Sequence, residues 1–159
     1  WFVDRAKPTQ IAMRGGILIS HGYSGLEVAM LSGALSAGGD SKVEIAMCSG
    51  VVRIRDGVSA RITMSGGVVR MSTSPPLASR DVRITMSRGE VHTRADSRPD
   101  ITMHGGTVCA YDKSEPRIDL CRGVVRTYDS AVPKIRQHGN YGSVYVNGSC
   151  EPLIARSSF

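Results

Sequence analysis

The sequence predicts an all-β chain, a single-domain parallel β-helix (β-solenoid) of about eight 17-residue coils. Three observations carry this. One phrase nearly recurs along the chain: 44-EIAMCSGVVRI-54, 61-RITMSGGVVRM-71, 83-RITMSRGEVHT-93, 100-DITMHGGTVCA-110 and 117-RIDLCRGVVRT-127. The recurrences keep one step of 17 residues, lengthened to 22 between Met64 and Met86. Such a short fixed period marks units that bury their apolar face only by stacking on their neighbours. Within each unit, apolar and polar residues alternate with period two and are cut by Gly and Pro, as in strands. Seventeen residues cannot hold two helices and their turns. Either hand of coil fits the pattern.

Taken in order, residues 1–10 are expected to cap the rod or dock onto a neighbour, and they carry the single Trp and one of two Phe. The coils run over 11–147. Their first strands are anchored at Ile11/Met13, Val28/Met30, Ile45/Met47, Ile62/Met64, Ile84/Met86, Ile101/Met103, Ile118/Leu120 and Ile135/Gln137. Three positions after each Met slot stands Gly16, Gly33, Gly50, Gly67, Gly89, Gly106 or Gly123, with Asn140 expected in the eighth coil. Glycine, and after it Asn, suits a turn that demands positive φ. Two residues on, Leu18, Leu35, Val52, Val69, Val91, Val108 and Val125 start the second strand, in a column expected to lapse at Gly142. The five extra residues of the long step fall in the turn containing 74-SPPLAS-79, where insertion is tolerated. Residues 148–159 are expected to cap the other end, since a terminal coil leaves an unpaired edge. The Ile, Met and Val columns should point inward, with Leu26, Val43, Val82, Pro99, Pro116 and Pro133. Unbranched Met suits a narrow core of uneven width.

The chain has 159 residues, a net charge of +6, and sixteen Arg among twenty basic residues. That favours partners with carboxylate, sulfate or phosphate groups, which guanidinium pairs bidentately. Four cysteines at 48, 109, 121 and 150 form no CxxC motif. No apolar run is long enough to span a bilayer, and no cofactor is implied.

The outward columns supply the candidate sites. Ala12, Ala29, Ala46, Thr63, Thr85 and Thr102 make a flat stripe of small side chains. Directly after the glycines come Ile17, Ala34, Val51, Val68, Glu90, Thr107, Val124 and Tyr141. Ile17, Val51, Val68 and Val124 are thus candidates for an oligomer interface, unless the strand bends to bury them. Arg53, Arg70 and Arg126 share a column with His92 and Cys109, flanked by Arg55 and Arg94. This ladder could clamp an acidic polysaccharide or other glycan. Nucleic acid is not expected, because the aromatics do not interleave with the Arg columns. Tyr111, Tyr128 and Tyr145 are expected in one column as a sugar-binding strip. Beside it, Asp112 and Asp129 on adjacent coils, about 5 Å apart, are candidates for paired catalytic acids. Asp at such a place also simply shapes a turn. His104, Cys121 and His138 share a column and are the candidate metal ligands, although the outer two lie about 10 Å apart. Cys150 is placed to fold back toward Cys121 or Cys109.

Over roughly residues 10 to 147 the repeat resembles β-solenoid proteins in general: phage tailspikes, autotransporter passengers, polysaccharide lyases and bactofilin-like filaments. The resemblance implies a non-enzymatic structural or adhesive protein, homo-oligomeric, from a cell surface, the extracellular space or a virion. A carbohydrate-binding or polysaccharide-cleaving β-helix is the alternative, and an ice-binding protein comes third.

Overall fold

The computed structural model describes residues 9–22, 25–73 and 81–157, so the expected N-terminal cap and the 74–79 turn lie almost wholly outside the described residues. The chain winds as an all-β parallel solenoid of about eight turns of some 17 residues, with no helix among the described residues. Each turn lays one strand in each of two sheets. The odd sheet holds β1 (Thr9–Met13), β3 (Gly25–Met30), β5 (Lys42–Met47), β7 (Ser59–Met64), β9 (Val82–Met86), β11 (Asp100–Met103), β13 (Arg117–Leu120), β15 (Lys134–His138) and β17 (Leu153–Ser157). The even sheet holds β2 (Ile17–Ser20), β4 (Ala34–Ala37), β6 (Val51–Ile54), β8 (Val68–Thr73), β10 (Glu90–Ala95), β12 (Thr107–Ala110), β14 (Gly123–Thr127) and β16 (Gly142–Val146). Every strand pairs with the next of its own sheet, all parallel.

The register is the one the repeat demands. Met13, Met30, Met47, Met64, Met86, Met103, Leu120 and Gln137 lie in one file of Cα partners, and all eight are buried. The 22-residue step leaves this file intact, because Ile62 pairs with Ile84 and Met64 with Met86.

The structure explains why methionine and glycine travel together. The Met Cε of one coil lies under the glycine of the next. A Cβ added at Gly89 would stand 2.6 Å from Met64 Cε and 2.5 Å from Gly67 O, and one at Gly106 would meet Met86 Cε at 2.6 Å. The turn also needs φ of +96° at Gly89 and +89° at Gly106. Glycine is thus required twice, for backbone hand and for the space the thioether tip fills.

The last coil departs from expectation. From Met slot to glycine slot takes three residues in the seventh coil and five in the eighth, so Gly142, not Asn140, is the partner of Gly123. The same coupling selects it, because a Cβ at Gly142 would fall 2.5 Å from Leu120 Cγ. The valine column therefore does not lapse at Gly142; Val144 continues it opposite Val125. Ser143, not Tyr141, stands in the row after the glycines.

Small polar residues close one corner. Ser20 donates to Ser41 across successive coils at 3.2 Å, Thr93 to Ser114 at 3.1 Å, and Thr127 meets Cys150 Sγ at 2.9 Å, all buried. Ser97 has no such partner, because Met71 occupies the corresponding place on the preceding coil. The core file ends in polar groups at the C-terminal side. Gln137 Nε2 donates to Gly142 O at 2.8 Å, and exposed Arg156 takes the Met position on β17. A charge aimed at the core position of an edge strand discourages further strand addition.

Candidate binding face

The two sheets carry different chemistry outside. On the odd sheet, acids and bases are mixed, and some of them meet. Arg61 lies 3.7 Å from Glu44, Arg83 3.1 Å from Asp81 and Arg136 4.0 Å from Asp119, and in the segments leading into β11 and β13 Arg98 lies 3.0 Å from Glu115. The small-residue stripe runs through this lattice, in register from Ala12 to Thr102, with Asp119 and Arg136 continuing its file.

The even sheet gathers positive charge. Residues 53 and 55 of one coil, 70 and 72 of the next, and 92 and 94 of the third form a grid two files wide over adjacent strands. It reads Arg53 and Arg55, Arg70 and Ser72, His92 and Arg94. Strand neighbours lie about 4.8 Å apart, and all four guanidiniums belong to exposed residues. Among the described residues none of the four has a carboxylate within ion-pair distance. The single acid of these outer rows, Glu90, is held by His92 at 3.2 Å. Arg126 stands two coils beyond His92, past Cys109.

Beside the grid is a stack of rings that the sequence only half announced. Tyr111 and Tyr128 lie face to face, with centroids 4.7 Å apart and planes within 7°. His92 is parallel to Tyr111 at 6.0 Å, and the Arg94 guanidinium sits 5.0 Å from the Tyr111 ring centre. Register alone puts Tyr111 above Arg94, since residue 111 follows Ala110 and residue 94 follows Thr93. The stack covers the Cys109 thiol, which is buried although its file points outward. Burial pushes the Cys109 thiol up; hydrogen bonding to Tyr111 and the nearby Arg126 charge oppose that, and Glu90 adds to it. Burial likewise raises the Tyr111 phenol, helped by Cys109 and Tyr128 and opposed by Arg94.

Tyr145 does not join this stack. The two extra residues in the 138–141 turn shift it one file over, opposite Arg126, and Asn147 takes the place above Tyr128. Asp112 and Asp129 sit on adjacent coils with φ of +58° each, and Asp112 Oδ2 accepts from Ala95 N at 3.2 Å. They build left-handed turns, as Ala95 does one coil earlier at φ +54°. In the row after the glycines, Ile17 is 78% exposed, whereas Val51, Val68 and Val124 are half-buried.

His104, Cys121 and His138 share one file of the odd sheet's rim and line a shallow depression with Arg122 and Tyr141. No three His, Cys, Asp or Glu among the described residues are grouped to hold a metal ion. His138 instead meets Ser157 Oγ at 3.3 Å through Nδ1 and Asp119 at 3.7 Å through Nε2. All four cysteines are free thiols, and Cys150 lies against Thr127 rather than bonded to Cys109 or Cys121. No described helix is long and apolar enough to cross a membrane.

Fold and surface together define a parallel β-solenoid with two unlike faces. Nothing narrower is shown: no family model, no curated protein and no solved structure matches the chain.

Proposed function

We propose that this chain is a non-catalytic adhesive or structural β-solenoid, a stiff rod that presents a fixed lattice of side chains within a homo-oligomeric surface component. The observation that carries the reading is the uninterrupted register. Outward files run in step from β1 to β15 in the odd sheet and from β2 to β14 in the even sheet, so side chains are presented in fixed files along a surface rather than gathered at one point. The roles of Asp112 and Asp129 as turn residues support it over polysaccharide cleavage, since paired catalytic acids must face a common substrate. Exposed Ile17 and Ile19 at one end, and Tyr145, Val146, Leu153 and Ile154 at the other, leave apolar surface for contact between subunits. An extracellular or virion-surface setting accords with such a rod.

Sedimentation of the purified chain over a wide concentration range tests the assembly. A defined oligomer is expected, and a monomer at the highest concentration would overturn it. Asp112→Asn with Asp129→Asn tests the non-catalytic part: any polysaccharide-cleaving activity of the wild type lost in this variant would defeat it.

A further inference from the structure

The even sheet's outer surface is suited to one kind of partner, and the argument runs from charge to shape to ring geometry. The grid of Arg53, Arg55, Arg70 and Arg94 spans three adjacent strands with no internal counter-charge among the described residues. On the odd sheet, Glu27, Glu44, Asp100 and Asp119 are interspersed among the bases and Arg61 and Arg136 pair with two of them, although Arg117 and Lys134 have no ion pair among the described residues. Five guanidiniums against one carboxylate therefore distinguish the even face, counting Arg126 and Glu90. Crowding like charges at strand spacing is unfavourable unless something anionic lies over them. A second copy docked face to face would bring arginine against arginine, so self-association does not relieve it.

The surface is a parallel sheet in which Arg53 and Arg70 are neighbours on adjacent strands, with Arg55 and Arg94 in the next file. A long anion with groups at regular intervals can meet several guanidiniums at once, each through a bidentate contact. Val51 and Val68, in the file beside the Arg53–Arg70 file, are half-buried and offer the apolar face of a sugar ring something to lie on. Single-stranded nucleic acid would also satisfy the charge, but it draws much of its affinity from bases stacked on open aromatic faces. Tyr111 has Tyr128 on one side and Arg94 near the other, so its faces are already engaged.

We infer that the Arg53–Arg55–Arg70–Arg94 grid of the even sheet binds an extended anionic polysaccharide. This rests on the adhesive reading and names its ligand class. Sulfate esters and uronic carboxylates share the needed chemistry, and the test separates them.

The full chain is passed over immobilised heparin and immobilised polygalacturonate at low salt, then eluted with rising salt. Retention on at least one is expected, with affinity falling steeply as salt rises. Arg53→Gln with Arg70→Gln should weaken binding about tenfold or more, two charge-assisted contacts being lost. Arg61→Gln with Arg83→Gln removes the same charge from the odd sheet and should change binding less than about twofold. Circular dichroism of both variants confirms that the rod is intact. Absence of retention on both polymers overturns the inference, as does equal weakening by the two variants, which would mean bulk charge alone. Tighter binding to a single-stranded DNA oligomer than to either polysaccharide also overturns it. Loss of retention in a chain that still assembles defeats only this ligand, whereas a monomer that binds heparin defeats only the assembly.

Discussion

The odd and even sheets share one core and one repeat, yet their outer faces have opposite characters. The odd face mixes acids with bases: Arg61, Arg83 and Arg136 each lie beside an acid, whereas Arg117 and Lys134 have no ion pair among the described residues. The even face carries Arg53, Arg70 and Arg126 in one file and Arg55 and Arg94 in the next, with Glu90 engaged by His92. The contrast teaches that repetition inside a solenoid does not dictate repetition outside. Inward positions must meet their own kind at strand spacing, whereas outward positions are free to vary coil by coil.

Because both faces rest on that core, the largest effect should come from breaking it. Met64→Ala is expected to cost about 2–5 kcal/mol, measured by urea unfolding, and to weaken both faces in one transition. Gly89→Ala should cost more than the roughly 1–2 kcal/mol of a left-handed Ala, since its Cβ would also meet Met64 Cε and Gly67 O. The double variant sharpens the point. Removing the Met64 tip relieves one of those two contacts, so the combined loss should fall short of the sum by about 0.5–3 kcal/mol. Strict additivity would show that the Met and Gly columns are independent.

Smaller effects should separate the faces. In the segment entering β11, Arg98→Gln should lower stability by about 0.2–1 kcal/mol, and added salt should erase the difference. On the even sheet, Arg53→Gln with Arg70→Gln should leave stability unchanged or slightly raised, within about 0.5 kcal/mol, because like charges are thinned. Substantial destabilisation there would reveal an internal partner and end the contrast. The subtlest readout is alkaline. Cys109 and Tyr111 are both raised by burial, so each is held neutral in the fold. Their contribution is whole below the ordinary values of 9.0 and 10.0 and is lost as pH climbs through the raised ones. Cys109→Ala should therefore move the onset of alkaline destabilisation from near pH 9.0 toward 10.0, as followed by thermal unfolding. Of the thiols, Cys48 should react first with a thiol reagent and Cys109 slowly.

Much of this was legible in the letters. Period two inside period seventeen leaves one register that buries the Ile, Met and inner Val columns, and a one-residue slip would turn a whole strand inside out. The Arg53–Arg70 file and the turn role of Asp112 followed from the same register. The misreadings came where the count itself changed. Two residues added after His138 moved Tyr145 off the tyrosine file, and equal spacing had concealed that, because Asn140 looked like an acceptable substitute for glycine.

The sequence by itself determined the coil, its register through the seventh turn and the inward Ile, Met and Val files, because identical units can stack only with like positions in contact. Only the tertiary structure decided that Gly142 must answer Leu120 and that Tyr111 and Tyr128 spend their faces on each other and Arg94. Those outcomes depend on distances between side chains of neighbouring coils, and a linear spacing names the neighbours without saying where their tips meet.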